Sequence, residues 1–277
     1  MKIIDGRAMA LQLRADMKEE IAHLPSAPGL GVLLIGDDPA SAIYVSLKEK
    51  AANEAGIHTD IKRLPASTPD DDIISIIQHW NEDSSIDGIL VQLPLPEGHD
   101  TDRIIFAIDP KKDADGFHPE HIRAAELGQG DILPPVHETV LRLIAATGID
   151  PRGKAATILA NSDVFAAPLV RVLQRAGFVT ATMDPDDLDG DLLRTSQLIV
   201  IAIGRAGFLR SDLVSPGTVI IDVGTNRGLN GKVCGDADAA SLSAIDGWIT
   251  PVPGGVGPMT VALLLKNVVS LYEKNRK

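Results

Sequence analysis

Four stretches of the 277-residue chain carry side chains whose types and spacing could do chemistry. The first is Ser41-Ala-Ile-Tyr44-Val-Ser-Leu-Lys48. On a helix, residues four apart share a face, so Tyr44 and Lys48 point the same way with Ser41 one turn earlier. A phenol beside an amine can orient it and relay protons. A lysine drawn partly out of water loses its preference for the charged form and can serve as a base. The same spacing also suits an ordinary surface pair. The second stretch is Asp87-Gly-Ile-Leu-Val91-Gln92-Leu93-Pro-Leu-Pro96. A strand there delivers Gln92 at its carboxyl end, and two prolines stiffen the loop that follows. A buried glutamine needs hydrogen-bond partners, so Gln92 either closes its own loop or tunes a neighbour such as Lys48.

The third stretch is Lys111-Lys-Asp113-Ala-Asp115-Gly-Phe-His118-Pro. Two carboxylates two residues apart, followed by glycine, suggest a tight loop with one acid turned inwards. The oxygen-rich ligand set that calcium needs is missing, and solvated acids in a simple turn fit the pattern too. The fourth, Thr250-Pro-Val-Pro-Gly-Gly-Val-Gly257-Pro258-Met-Thr260, packs three prolines and three glycines into eleven residues. Glycine admits close approach of a ligand to backbone. Pro258 suits a first helical turn, whose free N–H groups can meet a polar ligand. An interdomain connection is the alternative.

Elements must hold these residues in place, and periodicity supplies them. Helices are expected over 7–23, 40–55, 136–147 and 168–176, with a last helix from near Pro258 towards Glu273. Apolar runs predict strands at Leu30–Gly36, Gly88–Leu93, Ala155–Leu159, Leu198–Ile203 and Thr218–Val223. Alternating helices and continuously apolar strands imply parallel sheets covered on both faces. The two series split near 118–140, giving an α/β chain of two domains, the second a Rossmann-like, doubly wound parallel sheet. The expected division is 1–120 with 260–277, and 121–259.

Composition excludes several classes. The chain is 44% hydrophobic and 23% charged, an ordinary globular balance. No apolar run approaches the roughly 18 residues of a membrane span, and the N-terminus turns polar too early for a signal peptide. The lone Cys234 excludes a disulfide framework and a Cys-rich metal site; no metal is expected. A net charge of −12 without a basic run argues against nucleic acid. A cytoplasmic protein is expected.

Taken together, the motifs resemble the bifunctional methylenetetrahydrofolate dehydrogenase/methenyltetrahydrofolate cyclohydrolase family, nearly end to end. The similarity is carried by Ile4-Asp5-Gly6, Tyr44-x-x-x-Lys48, Val91-Gln92-Leu-Pro-Leu-Pro96, Lys112-Asp113-x-Asp115-Gly-Phe-His-Pro119, Ile221-Asp-Val-Gly224 and Thr250–Thr260. The resemblance implies two α/β domains, a folate substrate in a cleft between them, and a homodimer. It implies that Lys48 is the catalytic lysine, Tyr44 positions the folate, Gln92 tunes the lysine and Asp115 holds the pterin ring. Val91, Leu93, Gly257, Pro258 and Thr260 are implied as further substrate contacts.

The nicotinamide half departs from the family pattern. Gly-Arg-Ser, two residues, Val-Gly and Pro become Ala160-Asn161-Ser162-Asp163-Val164-Phe165-Ala166-Ala167-Pro168. Those glycines let backbone approach a phosphate, and the arginine would answer a 2′-phosphate. The next strand ends in Met183-Asp184, where a carboxylate disfavours a 2′-phosphate and could accept a ribose hydroxyl. Pro-Cys-Thr-Pro becomes Pro134-Pro135-Val136-His137, and the isoleucine of Val-Gly-Ile-Asn-Arg becomes Thr225. Ala160, Asn161, Ser162, Asp184 and Thr225 are therefore the altered candidates for holding NADP or NAD. The pattern favours the cyclohydrolase step and puts NADP-dependent hydride transfer in question. The alternatives are a fully bifunctional NAD(P)-dependent enzyme and a folate-binding or partner subunit without turnover.

Overall fold

The computed structural model describes residues 1–127, 129–130, 132–228 and 231–276. It divides into two units, Leu11–Pro135 with Val261–Lys277, and Met1–Ala10 with Val136–Thr260.

The first unit is built on three parallel strands, with Gly29–Ile35 between His58–Leu64 and Gly88–Val91. Every residue of Gly29–Ile35 is buried, which is why that strand reads as an unbroken apolar run. Its side chains alternate between faces. Leu30, Val32 and Leu34 pack with Val45, Ala52, Leu90 and Val268. Leu33 and Ile35 pack on the other face with Ile73, Ile77, Trp80 and Val91. Glycine is required at position 31, where a Cβ would come within 2.8 Å of the Trp80 ring.

The second unit is a six-stranded sheet in the order Lys2–Ile3, Gly247–Ile249, Thr218–Asp222, Leu198–Ala202, Ala155–Ala160, Val179–Met183. All its pairings are parallel. One face carries Ile158, Val200 and Ile221 with Leu169 and Leu143, the other Leu159, Ile201 and Ile220 with Leu193 and Leu242. From Ala155–Ala160 the chain moves out to Val179–Met183, then returns past its start to Leu198–Ala202. Strand order thus reverses between Ala155–Ala160 and Leu198–Ala202, and open α/β sheets bind ligands beyond the carboxyl ends at such a point.

The expected α/β architecture is present, and the differences have local causes. Residues 1–10 were expected with 11–120, yet Lys2 and Ile3 pair with Trp248 and Ile249 and so belong to the larger sheet. A two-residue strand leaves no periodic signal. Residues 121–135 stay with the first unit. The helix expected from Pro168 begins earlier, as Asp163–Ala176, with the proline inside it. A proline there removes the bond to the carbonyl of Val164 and crowds it, and that residue is exposed, so water can satisfy the carbonyl. The last helix runs Val256–Asn275, starting two residues before Pro258. The strand His58–Leu64 (HTDIKRL) escapes an apolar-run search because it is a half-exposed edge.

Candidate active site

Lys48 is held by the helix Pro39–Ala55. Asp38 caps that helix, its carboxylate accepting the Ser41 N–H at 2.7 Å. Pro39 is preset for the first turn, and Gly56 closes the helix in the left-handed region at φ 90°. Three turns along, the Lys48 ammonium donates to Gln92 Oε1 at 2.9 Å. Gln92 follows the strand Gly88–Val91 and continues its ladder, with its N–H on the Leu33 carbonyl. Its Nε2 donates to the Leu93 carbonyl at 2.6 Å, which orients the amide with oxygen towards the amine. The glutamine thus closes its loop and contacts the lysine at once, so the two roles open in the sequence are one. Val91 is buried and Leu93 packs in the same apolar cluster. Tyr44 lies one turn before Lys48 and is 37% exposed.

The loop after Lys112 is organised by Asp113, which is 1% exposed. Its carboxylate accepts the N–H groups of Asp115 (3.2 Å), Gly116 (2.9 Å) and His118 (2.8 Å). An isolated bridge between Ile89 and Asp113 lays the loop beside the strand that leads to Gln92. Gly116 turns at φ 67°, and a Cβ there would meet the Leu133 backbone at 2.9 Å. The inward acid is therefore Asp113, and Asp115 is left to act on Lys48. Burial pushes the Asp115 carboxyl up to about 6 against the pull of Lys48. Burial also draws the Lys48 amine below its usual range, against the attraction of Asp115. An amine and a carboxyl brought closer in acidity, the amine oriented by the Gln92 amide, can hold and pass a proton near neutral pH.

The other sequence-assigned residues lie in the second unit. Asn161 follows Ala160 at the end of its strand, and its Nδ2 donates to the Ile203 carbonyl at 3.0 Å, across the strand-order reversal. Ser162 stands at the start of Asp163–Ala176 and makes no side-chain cap bond to that helix. Asp184 follows the strand Val179–Met183 and is exposed; one oxygen accepts the Asp186 N–H at 2.8 Å. Thr225 is exposed beyond Thr218–Asp222. Gly257 and Pro258 lie in the first turn of Val256–Asn275, and Thr260 donates to the Val256 carbonyl at 3.0 Å. Two of the departures pack on each other: the buried His137 hydrogen-bonds the Phe165 carbonyl at 3.1 Å, its ring 5.5 Å from the Phe165 ring. Burial presses the imidazole down to about 4, so it is neutral. Sequence reading missed Asp113 as the loop's organiser, and it missed two buried carboxylates, Asp222 and Asp236. For Asp113 and Asp222 the available signal was an acid followed within three residues by glycine; Asp236 carries no such local signal.

Comparison with known families decides what this assembly is. Residues 4–115 match the tetrahydrofolate dehydrogenase/cyclohydrolase catalytic domain, and residues 134–276 match the NAD(P)-binding domain of the same proteins. The chain belongs to the tetrahydrofolate dehydrogenase/cyclohydrolase family. It is 46% identical to the bifunctional protein FolD of Acidiphilium cryptum, over 97% of this chain and 96% of that one. A crystal structure of the Campylobacter jejuni bifunctional enzyme FolD matches with a TM-score of 0.95 at 38% identity, covering 100% of both chains. The Trypanosoma brucei FolD structure, complexed with NADP cofactor and inhibitor, matches at 0.94 and 30% identity, over 99% of this chain and 98% of that one. The family resemblance read from the motifs holds along the chain. The doubt cast on dinucleotide binding and on hydride transfer finds no support, because the diverged segment lies inside the matched NAD(P)-binding domain. Among the described residues, no helix is long and apolar enough to cross a membrane.

Proposed function

We propose that this chain interconverts 5,10-methylene-, 5,10-methenyl- and 10-formyltetrahydrofolate as a bifunctional dehydrogenase and cyclohydrolase. The observation that carries the hydrolytic half is the 2.9 Å contact of the Lys48 amine with Gln92 Oε1 beside Asp115. In hydrolysis, water adds to the carbon joining N5 and N10 of the cationic methenyl compound, the bond to N5 breaks, and the formyl group stays on N10. Lys48, neutral beside a cationic substrate, accepts the proton of the attacking water. Gln92 holds the amine in line, and Tyr44 offers its ring to the folate. Asp115 has the pterin-holding role, and Val91, Leu93, Gly257, Pro258 and Thr260 keep the contact roles that family likeness gives them. The dehydrogenase half draws its support from the matched NAD(P)-binding domain and from relatives named bifunctional.

The residues of the second unit fit a dinucleotide. With Ser162 not capping its helix, the N–H groups of the first turn of Asp163–Ala176 remain for a pyrophosphate. Asp184, at the end of the neighbouring strand, suits ribose hydroxyls and repels a 2′-phosphate. A bound nicotinamide nucleotide supplies the hydride acceptor for methylene oxidation. NAD⁺ is therefore the nucleotide this site favours. Calorimetric titration is expected to give NAD⁺ an affinity at least about tenfold above that of NADP⁺, with Asp184→Ser narrowing the gap. Equal affinities would remove the role given to Asp184.

Hydrolysis of methenyltetrahydrofolate without nucleotide, and oxidation of methylenetetrahydrofolate with NAD⁺ and with NADP⁺, test the whole reading. Hydrolysis without oxidation would leave the cyclohydrolase alone, and neither activity would leave a binding subunit. The pH profile tests the lysine. Hydrolytic kcat/KM should rise as Lys48 loses its proton, at a pH below the ordinary lysine range. Asp115 raises the Lys48 pKa, so Asp115→Asn should move that rising limb to lower pH. A shift to higher pH would contradict the assignment. A homodimer in the cytoplasm completes the family likeness, and sedimentation measures the first part.

A further inference from the structure

The Asp236 carboxylate accepts four hydrogen bonds, and the residue is 0% exposed. Its Oδ2 accepts the N–H groups of Ile203 (2.7 Å) and Gly204 (3.1 Å). Its Oδ1 accepts the N–H of Arg205 and the Nδ2 of Asn226, both at 2.8 Å. Three successive N–H groups converging on one acceptor form the concavity that many proteins offer to an anionic ligand. In this chain the concavity is filled from within. The turn bends through Gly204 at φ 67°.

The loop so gripped follows the strand Leu198–Ala202, on one side of the strand-order reversal. The same loop receives Asn161 from the other side, through the Ile203 carbonyl at 3.0 Å. Asn226 opens the short strand Asn226–Arg227, which comes after Thr218–Asp222 and pairs with Val233–Cys234, and Thr225 is its neighbour. Asp236 is itself seated by Asp222, whose Oδ1 accepts the Asp236 N–H at 3.1 Å and whose Oδ2 accepts the Ala237 N–H at 2.8 Å. The seating is tight. A Cβ on Gly224 would lie 2.2 Å from the Asp236 carboxyl carbon, and one on Gly235 would lie 1.9 Å from Asp222 Oδ2.

We propose that Asp236 is a positioning residue for dinucleotide binding: by gripping 203–205 and Asn226 it sets the segments that follow Leu198–Ala202 and Thr218–Asp222, the two neighbouring strands on one side of the strand-order reversal. The inference rests on the dehydrogenase half of the proposed function. Four donors meet the carboxylate, and an asparagine would keep one oxygen and turn an N–H₂ against the rest.

The test is the variant Asp236→Asn, read by calorimetric titration with NAD⁺ and NADP⁺ and by hydrolysis of methenyltetrahydrofolate. The expected result is a nucleotide affinity weakened about tenfold or more, with hydrolytic kcat unchanged, since Lys48, Gln92 and Asp115 lie in the other unit. A merely structural role would lower the melting temperature and leave the affinity of the folded protein intact. Should Asp236→Asn fail to fold, Gly204→Ala disturbs the same loop through its positive φ alone, because no heavy atom lies within 4 Å of the added Cβ. It should weaken nucleotide binding several-fold. Unchanged affinity in a folded Asp236→Asn, or in Gly204→Ala if the first does not fold, overturns the proposal while the dehydrogenase reading stands. A wild-type protein that binds neither nucleotide overturns both.

Discussion

Lys48→Met is expected to lower hydrolysis of methenyltetrahydrofolate on the order of 10³-fold, the scale of a lost positioned base. Methionine matches the lysine stem in length and is tolerated in a helix, so the helix Pro39–Ala55 persists. What disappears is the amine at 2.9 Å from Gln92 Oε1. The amide oxygen loses its partner, a cost of about 1 kcal/mol, which the fold withstands. Circular dichroism should be unchanged while disappearance of the methenyl chromophore stops. Full hydrolytic activity in a folded Lys48→Met protein would exclude Lys48 as the base that activates water.

Removing Asp113 should be nearly as damaging, by a different route. Its carboxylate is the shared acceptor for three backbone N–H groups at a site 1% exposed. In Asp113→Ala these donors are stranded, and each buried unpaired donor costs about 1–3 kcal/mol. A loss on the order of 3 kcal/mol in stability is expected from denaturant unfolding. Asp115 is carried by the same loop, and a displacement of about 1 Å can cost on the order of 10² in rate. Hydrolysis should therefore fall although the Asp113 carboxylate is spent on its own loop. Asp113→Asn keeps one acceptor oxygen and should recover part of both losses. An Asp113→Ala protein with unaltered stability and turnover would show that the loop holds its shape by other means.

Much of this arrangement was legible in the residues, and the legible parts share a physical cause. The strands Gly29–Ile35 and Leu198–Ala202 are buried on both faces, so they announce themselves as apolar runs. Tyr44 and Lys48 were placed together by helical spacing. Gln92 was found because a polar side chain ends an apolar strand. What stayed hidden depends on distance in the chain. No local pattern tells that Lys2 and Ile3 will pair with Trp248 and Ile249. Asp113 and Asp115 look alike in sequence, and only the fold shows which one collects the backbone N–H groups. Asp236 resembles any loop acid until the turn at 203–205 closes on it. The departures at 160–168 put nucleotide binding in question because they gather on one side of the family pattern, and spacing alone does not show how they pack. His137 and Phe165 pack against each other, so at least part of that divergence is mutually accommodated.

The hydrolytic trio sits wholly between Pro39 and Asp115, in one of the two units. An engineer can therefore randomise positions 160–166, 184 and 225 to change redox partner and still score every clone by its hydrolytic turnover. One reaction becomes an internal gauge of foldedness for the redesign of the other.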